Sequence, residues 1–420
     1  MNNTEYGKII EFDSSRQMRL RIILNPFFVF SIIWIIVPLV HLMNLTMVYP
    51  GMDLKTGLFL AIIVVCSIIL AVVYDRKFLK NRKFVFFENS SPSYWLIILL
   101  LLATSLECLY SGQIPLLNIR NDMSSYKDFG IPTLSFAISS FFFAYDAVTS
   151  VKLVYGKKED RFGNLVILFF VWFRFLLTYS RGGLITCALI TFFVWLSTMK
   201  MSVKLVIFFL FAAVVGLLGF NALGNIRMNS AWNDSSEIIK IAQIRPEYEF
   251  LSSFSWGLVY IDTPLGNLLY NIQNVPTEKS FVGLVCQLLP DFLSKRVWPQ
   301  YNSELVLPIP NLIVSSMFAG GYKYGGYVGM FLSYFELCIV IFFFAFATKN
   351  HFKEFIAMSS SLTVIALMTF FDNTISVSGS SFYIFFIAMW MFFDKQSIDP
   401  DMVQKLALIF RFRVLETIDD

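Results

Sequence analysis

Apolar residues gather into ten stretches, approximately 26–44, 57–74, 93–110, 132–151, 163–180, 182–199, 203–221, 327–347, 355–371 and 380–394. A hydrocarbon core about 30 Å thick is crossed by about 20 apolar residues in a helix, so each stretch predicts one membrane span. Polar and basic segments separate them, except between the fifth and sixth, where only the turn Tyr179–Gly183 intervenes. One connection stands apart. Residues 222–326 are too apolar for a disordered linker, with WGLVYID, GNLLYNI and FVGLVCQLLPDFL, and are expected to fold against the membrane face. The pattern divides the chain into 1–221 with seven spans, the connection 222–326, and 327–420 with three spans and a tail.

Within the connection, Asp234 followed by Glu237 predicts an N-cap and its reciprocal carboxylate before IIKIAQI, with Pro246 ending that helix. Thr263-Pro264 and Thr277 mark two further helix starts. The second helix is amphipathic through Phe281, Val285, Leu288 and Phe292, as helices lying in the membrane interface are. Glycines 320, 321, 325, 326 and 329 precede and enter the eighth span, where they permit tight packing or a bend.

Composition agrees with an all-α polytopic membrane protein: 57% hydrophobic residues, 47 Phe and only 15% charged residues in 420. The net charge of +4 says little, but the placement of Lys and Arg sets orientation. The tails and alternate connections (Arg76 to Lys83, Lys152 to Arg161, Lys200 with Lys204, Lys349 with Lys353) hold 21 basic residues. The other short connections hold 4: Lys55, Arg120, Lys127 and Arg181. Both termini are therefore expected in the cytoplasm, with Tyr179–Gly183 and residues 222–326 together on the far side. The polar N-terminal residues do not read as a removable signal peptide. Nucleic acid has no basic, aromatic-interleaved patch to bind. Two histidines, His41 and His351, are too few for a metal cluster, so neither metal nor other cofactor is expected. Five cysteines without a CxxC pair read as packed core residues.

The chemistry-bearing residues concentrate on the outer side. Arg174 lies inside the fifth span, where an arginine costs roughly 2.5 kcal/mol or more to insert. Arg181 opens the sixth, followed by Gly182 and Gly183. A guanidinium fork suits phosphate oxygens, and paired glycines allow either close backbone approach or a sharp turn. The alternatives are an interfacial anchor for Arg181 and, for Arg174, pairing with Glu336. Arg227 follows the seventh span. Arg245, beside Pro246-Glu247-Tyr248-Glu249, reads by itself as a solvated surface. Asp262, Glu304, Asp291, Glu247, Glu107 and Asp372 are carboxylates on this side that could act as a base, and His41 is a further candidate. Asp146, in the fourth span, reads as structural or paired with Lys152.

This layout resembles the Wzy-type repeat-unit polymerases of O-antigen and capsule. The resemblance rests on NPFFVFSIIW opening span one, LLTYSRGGLI at 176–185, the large connection after span seven and NLIVSSMFAGGYKYGGYVG before span eight; SRGG is the part closest to a motif. It implies a fold like that of the lipid-linked (GT-C-like) glycosyltransferases in a bacterial inner membrane. It also implies transfer of glycan from undecaprenyl pyrophosphate to a new lipid-linked repeat unit at the periplasmic face, without a metal, beside a Wzz-type chain-length regulator as possible partner. The family's pyrophosphate-handling arginines fall on Arg181 by motif and on Arg227 and Arg245 by loop position. Arg174, Gly182 and Gly183 join them as the expected pyrophosphate site, with Arg181, Arg245, Glu304 and Asp262 as the expected catalytic set. O-antigen ligases share the layout but are marked by a histidine in the large connection, and 222–326 has none. A lipid-oligosaccharide flippase or other transporter is the alternative from another class.

Overall fold

The computed structural model describes residues 22–80, 90–118, 129–198, 203–228, 230–301, 305–310 and 312–393. Both tails, Glu304, and basic residues such as Arg120, Lys127 and Lys200 lie outside that set. Among the described residues the chain is helical, with no strand and one isolated bridge, Thr46 to Ile244.

A helix lies on each of the ten apolar stretches: α1 (Pro26–His41), α2 (Leu54–Tyr74, continued by a π-helical turn to Leu79), α3 (Tyr94–Ser111), α4 (Leu134–Tyr155), α5 (Arg161–Leu177), α6 (Arg181–Leu196) and α7 (Val203–Arg227). The connection then supplies α8 (Ser236–Ala242), α9 (Ser255–Asn274), α10 (Phe281–Leu288) and α11 (Asp291–Val297). The chain returns as α12 (Phe318–Thr348), α13 (Phe352–Met368) and α14 (Tyr383–Phe393). Among the described residues four helices are long and apolar enough to cross a membrane: α2 with its continuation, α3, α4 and α12. Pro26–His41, Arg181–Leu196 and Val214–Ile226 are shorter apolar helices.

Helices α4 and α13 form the centre. Every residue from Phe142 to Val151, and every residue from Lys353 to Ala366, is buried except where Val151 is followed by half-buried Lys152, as expected for helices surrounded by others. On one side α1 packs against α2 and α13 through Phe27, Phe30, Trp34 and Val37, a three-to-four-residue stripe. The other side holds α5, α6 and α14. Outer surfaces are apolar too: Leu58, Ile62, Val65, Ile69 and Val72 on α2, and Val328, Phe331, Phe335, Ile339 and Phe343 on α12, are exposed. Such long apolar faces are what a hydrocarbon environment covers.

The connection carries a small core of its own, in which Tyr49, Ile238, Trp256, Val259 and Leu312 are buried. Its helices depart from the expected starts. Asp234 accepts from the Ser236 N–H (3.0 Å), Ser235 takes the cap position, and α8 ends when Gln243 turns left-handed (φ 48°), before Pro246. Pro264 lies inside α9 and does not open it. The helix starts earlier because Trp256 is anchored there: its N–H donates to Asn221 Oδ1 and its indole to Asn225 Oδ1. Ser280, three residues after Thr277, caps α10 by accepting from the Gly283 N–H, and Pro290 splits the expected amphipathic helix into α10 and α11.

The glycine cluster is a kink within α12. Gly326 takes φ 58° and ψ −145°, so residues 318–325 form a separate helical segment before the long apolar part. Across the kink Gly321 and Gly329 meet backbone to backbone, and a Cβ at Gly329 would overlap the Gly321 carbonyl. Gly329→Ala should therefore cost about 1–3 kcal/mol of stability. Gly216→Ala, where a Cβ meets open space within α7, should be neutral or slightly stabilising. Thermal unfolding of the detergent-solubilised variants separates the two, and equal melting temperatures would contradict the close crossing.

Candidate functional site

The site begins at the turn between α5 and α6. Thr178 Oγ1 donates to the Arg174 carbonyl, closing α5, and the Ser180 N–H donates to the Phe175 carbonyl at 2.9 Å. Tyr179 between them adopts φ 53°, a left-handed conformation that costs a non-glycine residue roughly 1–2 kcal/mol. Ser180 then caps α6, its Oγ accepting from the Gly183 N–H at 3.2 Å. The two glycines differ in purpose. A Cβ at Gly183 would overlap the Phe175 ring, whereas one at Gly182 would meet nothing within 4 Å. Gly183 lets the helices close; Gly182 leaves the start of α6 bare.

That bare helix start borders a cavity of about 330 Å³. Ser180, Gly182, Gly183 and Thr186 line one side, with Ser139, Phe143 and Phe175 beside them. Opposite are Val364, Ile365 and Met368 of α13, Tyr383 of α14, and Phe371, Asp372 and Thr374 from the loop joining the two helices. Of the first N–H groups of α6, that of Arg181 donates to the Tyr179 carbonyl (3.2 Å) and that of Gly183 to Ser180 Oγ, so the Gly182 N–H, at the positive end of the helix, is the one that suits an anion. Most of the remaining lining is apolar.

Asp372 is the carboxylate that lines this cavity. The residue is exposed at the edge of the cavity, but protein packed around the carboxyl keeps much of the bulk water from it. That desolvation, the largest influence, raises its pKa to about 6, and the nearby Asp291 pushes the same way. The Asn373 N–H, which donates to Asp372 Oδ1 at 2.7 Å, and the charge of Lys295 pull it down. The carboxyl therefore changes charge near neutral pH.

The other residues expected to form the site fall in several places. Arg174 is 3% exposed and paired with Glu107 (3.3 Å, 0% exposed) on α3, and not with Glu336. Its guanidinium lies 4.8 Å from the Phe175 ring centroid and 5.2 Å from that of Phe142. It supports the turn from behind. Arg181 sits between two cavity-lining residues, half-buried, 5.8 Å from the Tyr179 ring centroid; among the described residues no carboxylate pairs with it. Arg227 ends α7. Arg245 follows Ile244 of the small core; its backbone N–H donates to the Leu45 carbonyl, and its Nε is buried without a partner among the described residues. Neither lines the cavity.

Asp262 is also elsewhere. It is 1% exposed on α9, with Oδ1 2.6 Å from His41 Nδ1, while His41 Nε2 lies 3.0 Å from the Pro50 carbonyl. Both ring nitrogens are engaged, so this pair fastens the connection to the end of α1 and leaves no free base. Asp146 is held by Trp172 Nε1 (2.8 Å) and Thr191 Oγ1, not by Lys152, whose amine donates to the Ser91 carbonyl. Glu304 lies outside the described residues. The sequence grouped Asp372 with five other carboxylates. What singles it out is the return of the α13–α14 loop beneath α10 and α11, which only the packing reveals.

Among the described residues no cluster of three His, Cys, Asp or Glu side chains could hold a metal ion. No protein-family model, curated protein or solved structure matches the chain.

Proposed function

We propose that this chain is a polymerase of lipid-linked oligosaccharide repeat units, acting on undecaprenyl-pyrophosphate-linked glycan at the outer face of a bacterial inner membrane. The observation that carries the reading is the cavity at the SRGG turn: the start of α6 and the carboxylate of Asp372 both line it, most of the remaining lining is apolar, and Arg181 lies in sequence between two of its lining residues. A pyrophosphate seated at the α6 end would place its isoprenoid toward the apolar lining and its sugar toward the loop carrying Asp372. All ten helices cross the membrane in this reading, with both termini cytoplasmic as the distribution of Lys and Arg indicates.

The transfer is an in-line displacement at the anomeric carbon. Positioning of donor and acceptor in one recess supplies much of the rate, and Arg181 with the Gly182 N–H stabilises the departing pyrophosphate. The ligase alternative finds no support in His41, which touches the connection, because both of its nitrogens are occupied.

Deleting the gene in its own host tests the reading. Loss of a polymerase should leave core lipid bearing at most one repeat on a gel of surface glycan. Loss of every repeat, single ones included, would favour the ligase or flippase, and an unchanged ladder would exclude all three.

A further inference from the structure

Resting on that reading of the site, we propose that Asp372 is the proton acceptor for the attacking sugar hydroxyl. Of the described carboxylates that the sequence offered, Glu247 is exposed on the turn after Arg245 and does not line the cavity, and three others are bonded elsewhere. Asp262 is buried against His41, Glu107 against Arg174, and Asp291 is bonded to Lys295 at 2.8 Å. Asp372 alone of these lines the cavity, across from the α6 start.

The loop that carries it is fixed at both ends and in the middle. The Thr369 carbonyl accepts from the Met317 N–H (2.9 Å), Asn373 Nδ2 donates to the Gln287 carbonyl (3.3 Å), and the Ser376 carbonyl accepts from the Asp291 N–H (2.7 Å). Helices α10 and α11 thus hold the carboxylate in place. Its Oδ1 is occupied by the Asn373 N–H, and among the described residues no protein donor reaches Oδ2, which leaves that oxygen for a hydroxyl. Asp291 and Lys295, both on α11, are the charged groups acting on it.

The step balances without a further reactant. The acceptor hydroxyl gives its proton to Asp372 Oδ2 as its oxygen bonds to the anomeric carbon. The bond from that carbon to the pyrophosphate oxygen breaks, and its electron pair leaves with the pyrophosphate, while Asp372 later yields the proton to water in the cavity. A carboxylate that ionises near pH 6 is suited to both halves.

The test uses isolated membranes from the producing cell, with its own accumulated lipid-linked single repeats as substrate and elongation followed by gel between pH 5 and 8. Asp372→Asn should lower elongation by about 10²–10⁴-fold at an unchanged melting temperature. The wild-type rate should fall as pH drops through about 6, and Asp372→Glu should retain a measurable rate with that acidic limb displaced. Near-normal elongation by Asp372→Asn, or a wild-type profile flat from pH 5 to 8, overturns the assignment. If Asp372→Asn is active while Arg181→Ala is not, the base assignment fails and the polymerase reading stands. An unchanged ladder on gene deletion removes that reading itself.

Discussion

Glu107→Ala should destabilise the folded protein by about 3–5 kcal/mol, because it strands a buried guanidinium. Glu107 is 0% and Arg174 3% exposed, and their single contact is 3.3 Å, with Glu107 Oε1 and Arg174 Nε left without partners. A pair so incompletely satisfied contributes little beyond an apolar pair of equal volume, yet removing one member leaves the other uncompensated in a medium that solvates it poorly. Arg174→Ala should be similarly damaging, and the double variant Glu107→Leu/Arg174→Met should recover most of the loss. Thermal unfolding of the four proteins in one detergent measures this, and additive losses in the double variant would sink the argument. The consequence reaches the cavity through Phe175, which stacks under Arg174, packs against Gly183 and lines the pocket.

The helices were legible because apolar length is a one-dimensional property: each of the ten stretches carries a helix in the structure. Helix ends in the connection were less legible. Pro264 reads as a start, but the anchoring of Trp256 between Asn221 and Asn225 extends α9 past it, and such an anchor depends on which helix lies alongside. Partner choice was illegible for the same reason. Arg174 and Glu336 both sit inside apolar stretches of the sequence, while Glu107, nearer the end of its helix, is the group that the crossing of α3 and α5 brings within reach. Burial separates the carboxylates: Asp262 and Asp372 look alike in sequence, yet one is locked to His41 and the other faces the cavity. The SRGG turn was legible as a site candidate, since an arginine followed by two glycines between two apolar stretches is unusual unless used. The differing uses of the glycines required coordinates.

Arg181 carries the second large effect. It occupies the first position of α6, where a cation is disfavoured by the positive helix end that Gly182 leaves bare. Arg174, by contrast, spends its charge on Glu107. A second positive charge at a positive helix end is opposed by the local field until an anion arrives, and a dianionic pyrophosphate would relieve both at once. On this argument Arg181→Ala should reduce elongation by about 10²–10³-fold, the loss typical of removing one group that stabilises developing charge. It should leave stability unchanged or slightly improved, because the helix start loses an unfavourable charge. Arg181→Lys should restore only part of the rate, as an ammonium cannot grip two oxygens in a fixed plane. A full-length glycan ladder in cells expressing Arg181→Ala at wild-type abundance would refute the anion-binding role, whereas a melting temperature depressed as far as that of Glu107→Ala would reassign Arg181 to holding the turn.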